Sequence, residues 1–427
     1  MHNTQTANWQ VQAKELDHAD PLKAYRDRFH IPVINGRECI YFCGNSLGLQ
    51  PKSVETAIQN ELDVWKKLGV KGHFHSERPW VSYHKLLRPS LAHITGALED
   101  EVVAMNTLTV NLHLMLTSFY RPTASRYKII IEKGAFPSDL YAVVSQIRLH
   151  CLDPKEALIE VVPREGKQTL HTKDILQNIE THADTLALVF FPGVQYYTGQ
   201  VFDMAHITRA AHQAGAIAGF DLAHAVGNVP LHLHDWGMDF AVWCSYKYLN
   251  SGPGNVGGAF VHEKYAQDVE RARLAGWWGH DEASRFAMQG DFHPIRGADG
   301  WQLSNTNIVA MAAHKASLSI MEEAGIDNLR RKSVKLTSFL YHLIQEIDPK
   351  GEFIRIITPE DPEARGCQLS LFFPQHGQHL FDQLKQAGVM VDWREPNVIR
   401  AAPTPLYNTF SEVATFAELL QKGLDTL

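Results

Sequence analysis

An apolar run, AVWCS (241–245), ends on a lysine between two tyrosines, Tyr246-Lys247-Tyr248. A lysine at the mouth of a buried strand is partly desolvated, which favours the neutral amine over the ammonium. A neutral amine adds to an aldehyde to form a Schiff base, the bond by which proteins anchor pyridoxal phosphate (PLP). Asp221 precedes Lys247 by one strand–helix–strand interval, and a carboxylate there would keep a pyridine nitrogen protonated. Phe136 offers a ring to stack on the pyridine face. TLTVN (107–111) opens a helical pattern whose first backbone N–H groups would receive a phosphate. Spacing alone leaves a plainer reading open, in which Lys247 snorkels to the surface and Asp221 caps a helix.

The elements that must position these groups are also legible. YKIIIEK (127–133), LALVFF (186–191), AIAGFD (216–221) and FAVWCSY (240–246) are nearly continuous apolar runs, as strands buried on both faces must be. Helical patterns lie between them, such as HITRAAHQAG (206–215), which ends on a glycine. This alternation predicts an α/β fold, a mostly parallel sheet sandwiched by helices. Ligands of such sheets bind beyond the carboxyl ends of the strands. Those ends carry Phe136 and Asp139, then PGVQYYTG (192–199), then Asp221 and His224, then Tyr246 and Lys247. After about residue 307 the pattern changes to two long amphipathic helices and an α+β tail. We therefore expect a large domain over 41–310 and a smaller α+β domain over 311–427, with residues 1–40 packing beside the latter.

Composition excludes other classes. The 427 residues are 45% hydrophobic and 20% charged, which is ordinary globular usage. Forty Lys and Arg against 47 Asp and Glu leave a net charge of −7, so nothing favours a nucleic acid or an anionic membrane. Cys39, Cys43, Cys151, Cys244 and Cys367 are too few and scattered for a disulfide framework, which suggests a reducing compartment. The first residues lack the basic and apolar regions of a signal peptide, and no apolar run approaches the roughly 20 residues of a spanning helix. A cytoplasmic location is expected. Gly252-Pro-Gly254-Asn-Val-Gly257 matches the dinucleotide pattern G-x-G-x-x-G, but the segment after it reads as a strand, so a glycine-rich turn is expected. There is no H-E-x-x-H and no paired C-x-x-C, and His232 and His234 read as solvated or core histidines, so no metal is expected.

Several longer runs carry a resemblance. YFCGNSLGLQPK, KGHFHSERPW, MNTLTVNLHLML, AFPSD, GFDLAHAVGN, DWGMDFAVWCSYKYLNSGPG, GWWGH and IRAAPTPLYN together resemble the kynureninases, fold-type-I PLP enzymes of the aminotransferase class V group. The runs span Tyr41 to Asn408 in order. The resemblance implies hydrolytic Cβ–Cγ cleavage of L-kynurenine or its 3-hydroxy form to an anthranilate and L-alanine, within tryptophan catabolism and pyridine nucleotide biosynthesis.

It also implies roles, with Lys247 as the Schiff-base lysine and base at Cα. Asp221 and His224 would sit at the pyridine nitrogen and beside the ring, and Phe136 and Asp139 would stack on and orient it. Leu108 and Thr109 would bind the phosphate, with Tyr246 adding its hydroxyl and relaying a proton to the substrate carbonyl hydrate. Trp277 and Asn305 match cofactor-site positions, and both are expected from the neighbouring subunit of a homodimer with shared sites. Ser46, His73, Asn305 and Arg400 match substrate positions, Arg400 being suited to a bidentate clamp on the amino-acid carboxylate. His73 and Asn305 offer partners for a ring hydroxyl, which favours 3-hydroxykynurenine. Family members often carry Ser or Thr where this chain has Pro192, and proline has neither hydroxyl nor N–H to offer a cofactor. The competing readings are another class V enzyme, a cysteine desulfurase or an aminotransferase, and an inactive binding protein on the same scaffold.

Overall fold

The computed structural model describes residues 2–288 and 290–427, with side chains from residue 7 onward. Its centre is a seven-stranded sheet built from β1 (Val102–Met105), β2 (Lys128–Glu132), β3 (Leu158–Val161), β4 (Leu186–Pro192), β5 (Ile217–Asp221), β6 (Phe240–Trp243) and β7 (Gly257–Val261). Their spatial order is β1-β7-β6-β5-β4-β2-β3. Within it β7 runs antiparallel to both neighbours, and the other pairs are parallel. Strand pleating divides the apolar runs between two faces. Ile130, Val189 and Phe191 join one core cluster, while Ile129, Ile131, Leu188 and Phe190 join the cluster on the opposite face. That is why these runs read as continuous rather than alternating.

Around and beyond this sheet lie α1 (His2–His18), α2 (Ser53–Leu68), α3 (Leu108–Phe119), α4 (Pro137–Leu149), α5 (Met204–Gln213), α6 (Ile308–Ala324), α7 (Ile326–Ile347) and α8 (Phe410–Leu424), among others. The expected helix at 206–215 is α5, begun two residues earlier by Asp203, whose carboxylate accepts the His206 N–H. A second, antiparallel sheet of β8 (Arg355–Ile356), β9 (Leu369–Phe372), β10 (Asp392–Arg394) and β11 (Val398–Ala401) has the order β8-β9-β11-β10. With α7 and α8 it encloses its own core, including Leu336, Leu340, Leu371, Ile399 and Phe416.

Residues on both sides of 310 join the first core. Helix α6 packs on α2, and its Met311, Leu318 and Met321 belong to the first core. The reversal comes at Gly325, whose φ of 75° lets α7 depart toward the second core. The N-terminal 40 residues are shared. Trp9 and Ala13 of α1 lie in the second core, and Asp17 accepts the Phe410 and Ser411 N–H groups at the start of α8. Leu22, Phe29 and Cys39 instead join the first core.

Candidate active site

The four expected strand ends meet in one cavity of about 330 Å³ beyond β2, β4, β5 and β6. Strand β6 stops at Trp243, earlier than the expected 246, because the chain turns out of the sheet to aim Tyr246 and Lys247 at this space. The Ser245 hydroxyl fixes the turn by donating to the Val256 carbonyl. Asn45 and Ser46 line one side, within residues 44–48, which match a catalytic pattern, G-x-S-x-G. They are a turn rather than a strand-to-helix elbow, and both glycines answer to close packing. A Cβ at Gly44 would lie 2.3 Å from Thr404 Oγ1, and one at Gly48 would lie 2.3 Å from the Lys247 carbonyl oxygen. The turn is thus pressed against the lysine's own backbone, and the Gly48 N–H donates to the Tyr246 carbonyl at 2.8 Å.

Lys247 Nζ lies 2.9 Å from His224 Nε2. Burial holds the His224 imidazolium well below its ordinary range, and the nearby Lys247, Arg400 and Arg394 charges add to that. The ring is therefore neutral, and its Nε2 accepts from the lysine. Beneath them Asp221 is buried, with Oδ1 accepting the Ala223 N–H at 2.7 Å. Burial raises Asp221, while Lys247 pulls it back down. Asp139 is raised well above the carboxylate range by burial and then by the adjacent Asp221. Of the two, Asp139 is the carboxyl that burial and its neighbour's charge favour in the protonated form. Asp139 Oδ1 has no partner among the described residues. Glu132, also buried, is pushed up to about 8, chiefly by burial; the Gln195 amide, at 3.4 Å, pulls it down and Asp221 pushes it up.

At the other end of the cavity the first turns of α3 and α4 converge. Thr109 Oγ1 and Ser138 Oγ lie 2.8 Å apart there, each in the second position of its helix. Two helix N-termini with a pair of hydroxyls form an anion cradle. Phe136 stands over the opening with its ring edge-on to Tyr196 at 5.3 Å. An amine, a buried carboxylate lacking a full cationic partner, an orphaned buried oxygen and an anion cradle form a donor set that fits PLP. Lys247 would take the aldehyde, Asp221 the pyridine nitrogen, and the cradle the phosphate.

Ser46, Leu108, Thr109, Phe136, Asp139, Asp221, His224, Tyr246, Lys247 and Arg400 all line the cavity. Pro192 lines it too, with only apolar atoms to present from its ring. His73, Trp277 and Asn305 are not among its lining residues. His73 packs edge-on to Trp80 at 5.3 Å, Trp277 is 46% exposed and donates its Nε1–H to the Arg285 carbonyl, and Asn305 is exposed.

Sequence reasoning missed Asn45, Glu132, Ser138, Tyr196 and Arg394, which also line the space. Ser138 and Glu132 carried a signal, since they flank Phe136 at the end of an expected strand. His234 was expected to be solvated or core; instead its Nδ1 meets the buried Glu101 Oε1 at 3.0 Å and its ring stacks on His262 at 5.1 Å. These three are potential metal ligands by proximity. Glu101 also accepts from the Leu98 and Glu263 N–H groups, and His262 Nδ1 accepts from that of Lys264.

Known proteins place this geometry in a family. The family described as kynureninase C-terminal domain matches residues 329–420, a span that holds the second sheet and most of α7 and α8. The chain is 51% identical to the kynureninase of Flavobacterium psychrophilum over 414 residues, 96% of this chain and 97% of that one. It is 53% identical to the kynureninase of Myxococcus xanthus over 410 residues, covering 96% of each chain. Against that of Stenotrophomonas maltophilia it is 54% identical over 406 residues, 94% of this chain and 95% of that one. Among solved structures, an apo cysteine desulfurase from Thermococcus onnurineus superposes with a TM-score of 0.75 at 19% identity, covering 91% of this chain and 95% of that one. C-DES with glycine covalently linked to its PLP cofactor gives 0.75 at 15% identity, covering 90% and 96%. The distant structures share the fold, and relatives half identical along nearly the whole length decide the rest: the chain belongs to the kynureninase family.

Proposed function

We propose that this chain is a PLP-dependent hydrolase that cleaves the Cβ–Cγ bond of L-kynurenine or 3-hydroxy-L-kynurenine to an anthranilate and L-alanine. The observation that carries the reading is the meeting of Lys247, His224 and the Asp139–Asp221 pair in one cavity with Arg400. PLP, when bound, supplies an electrophilic aldehyde and a pyridine ring that accepts electrons from the substrate. Lys247 Nζ would hold the cofactor aldehyde, and its amine is placed to serve as the base that takes the proton from Cα. The neutral His224 accepts a hydrogen bond from that amine without adding a second positive charge beside it. Asp221 would hold a proton on the pyridine nitrogen, and a proton on Asp139 would keep the pair from carrying two negative charges. Thr109, Ser138 and the first turn of α3, begun by Leu108, would hold the phosphate. Phe136 would cover the ring, and Ser46 would border the substrate. Tyr246 has its hydroxyl held above the ordinary phenol range by burial, so it stays protonated and can give a proton to the hydrated substrate carbonyl.

A homodimer with shared sites is supported by what one chain leaves outside. Trp277, Phe286 and Phe74 form an exposed aromatic chain, with ring centroids 5.4 and 5.6 Å apart in succession, and His73 adjoins Phe74. Phe74 is 52% and Phe286 49% exposed, far more than packed aromatics show. A second copy would cover this patch and bring Trp277, His73 and Asn305 to its partner's cavity, where His73 and Asn305 favour the 3-hydroxy substrate. Among the described residues no helix is long and apolar enough to cross a membrane, and unpaired cysteines suit a reducing cytoplasm. We place the domain division at Gly325.

The reading is tested by incubating the purified protein with both substrates and following anthranilate fluorescence. Product release that disappears in Lys247→Ala, together with the visible cofactor absorbance, supports it. Absorbance that survives the substitution, or absent product from either substrate, refutes it.

A further inference from the structure

We propose that Arg394 is a second guanidinium of the substrate-carboxylate site, held in place by Asp392 and acting beside Arg400. The inference rests on the reading of the cavity as an amino-acid site, and it concerns a residue that neither the motifs nor the strand ends pointed to.

The hairpin register creates the arrangement. Asp392 of β10 is paired directly with Arg400 of β11. Arg394 follows Asp392 by two residues, so its side chain leaves the same face of the sheet. All three groups therefore stand together, and both arginines line the cavity. Asp392 Oδ2 accepts from Arg394 Nη2 at 3.2 Å and also from Arg400 Nη2. Two guanidinium groups on one carboxylate leave one net positive charge, which a single α-carboxylate neutralises.

Donor counting points the same way. Arg400 is 1% exposed, and both of its terminal nitrogens are already engaged, Nη1 donating to the Tyr196 carbonyl at 2.6 Å. Its Nε–H is buried with no partner among the described residues, and so is the Nε–H of Arg394. Arg400 is thus spent largely on the protein, and a carboxylate has two oxygens to satisfy. A second guanidinium with an unused N–H supplies the missing donor. The two charges also act together on the cavity, since both lower the basicity of His224. Fixing Arg394 through Asp392 keeps it pre-organised rather than leaving a long side chain to be ordered at each binding event.

The test uses the holoenzyme as purified, with binding read by calorimetry and by the change in cofactor absorbance. L-alanine and L-alaninamide are the probes, with L-kynurenine for turnover. Arg394→Gln weakens L-alanine by about 10-fold, near the low end for a charge-assisted hydrogen bond because the Arg394 side chain is 38% exposed. Alaninamide changes little, and KM for kynurenine rises more than kcat falls. Arg394→Lys recovers part of the loss by restoring charge without the fork. Unchanged L-alanine binding, or equal losses for acid and amide, overturns the proposal. A parent protein that binds acid and amide alike overturns it as well. Absent anthranilate with intact discrimination between acid and amide would instead sink the reaction reading and leave this one standing.

Discussion

Glu132 gives the sharpest electrostatic prediction. It is the last residue of β2, 3% exposed, and it faces the Asp139–Asp221 pair with only the Gln195 amide to favour its charged form. In the cofactor-free fold its carboxyl releases a proton at about 8, against 4.5 for the unperturbed group. The folded state therefore holds a proton that the unfolded chain has lost, so stability is fully present below about pH 4.5 and declines as pH rises through 8. At about 1.4 kcal/mol for each factor of ten in proton affinity, the loss is on the order of 5 kcal/mol. Glu132→Gln keeps the shape and the Gln195 contact but removes the titration. Because Asp139 and Asp221 remain in both proteins, the difference between them isolates this group. Thermal unfolding of the two cofactor-free proteins at pH 5 should coincide. At pH 9 the variant should unfold about 5 °C higher, the shift that this free energy makes in a protein of this length. An offset between the two that does not change with pH, or a variant less stable at pH 9, would refute the reasoning.

Three further outcomes follow from the site. Gly48→Ala places a Cβ 2.3 Å from the Lys247 carbonyl oxygen and 2.8 Å from Asn250 Cα, so the turn must move; a loss of about 2 kcal/mol in chemical denaturation and weaker cofactor retention are expected. Tyr246→Phe should keep the cofactor absorbance while kcat falls about 100-fold or more, and unchanged turnover would remove its proton-transfer role. Mixing Lys247→Ala chains with Trp277→Ala chains, each inactive alone, should restore about a quarter of the parent activity by random pairing if sites are shared between copies. No recovery after verified subunit exchange would count against the shared site.

The strand ends were legible because burial on both faces leaves a mark in each short run, and because residues a few positions past a strand stay near its end. Phe136, Asp139, Asp221, His224, Tyr246 and Lys247 all follow that rule, and all reach the cavity. Helix α6 shows its limit. Its amphipathic pattern says that one face is buried without saying against what, and only packing on α2 assigns it to the first core.

Order and spacing along the chain determined the parallel sheet, the lysine at its edge and the acids beneath it, since each depends on neighbours within about one strand–helix unit. Tertiary structure alone decided the rest. Arg394 enters the site from a hairpin of the second sheet, 147 positions beyond Lys247, through a cross-strand register that no local pattern records. Gln195 reaches back to Glu132, and the pairing of Asp139 with Asp221 sets which carboxyl keeps its proton. Proton affinities and donor counts depend on distances between groups remote along the chain, and those distances exist only once the two cores have closed around the cavity.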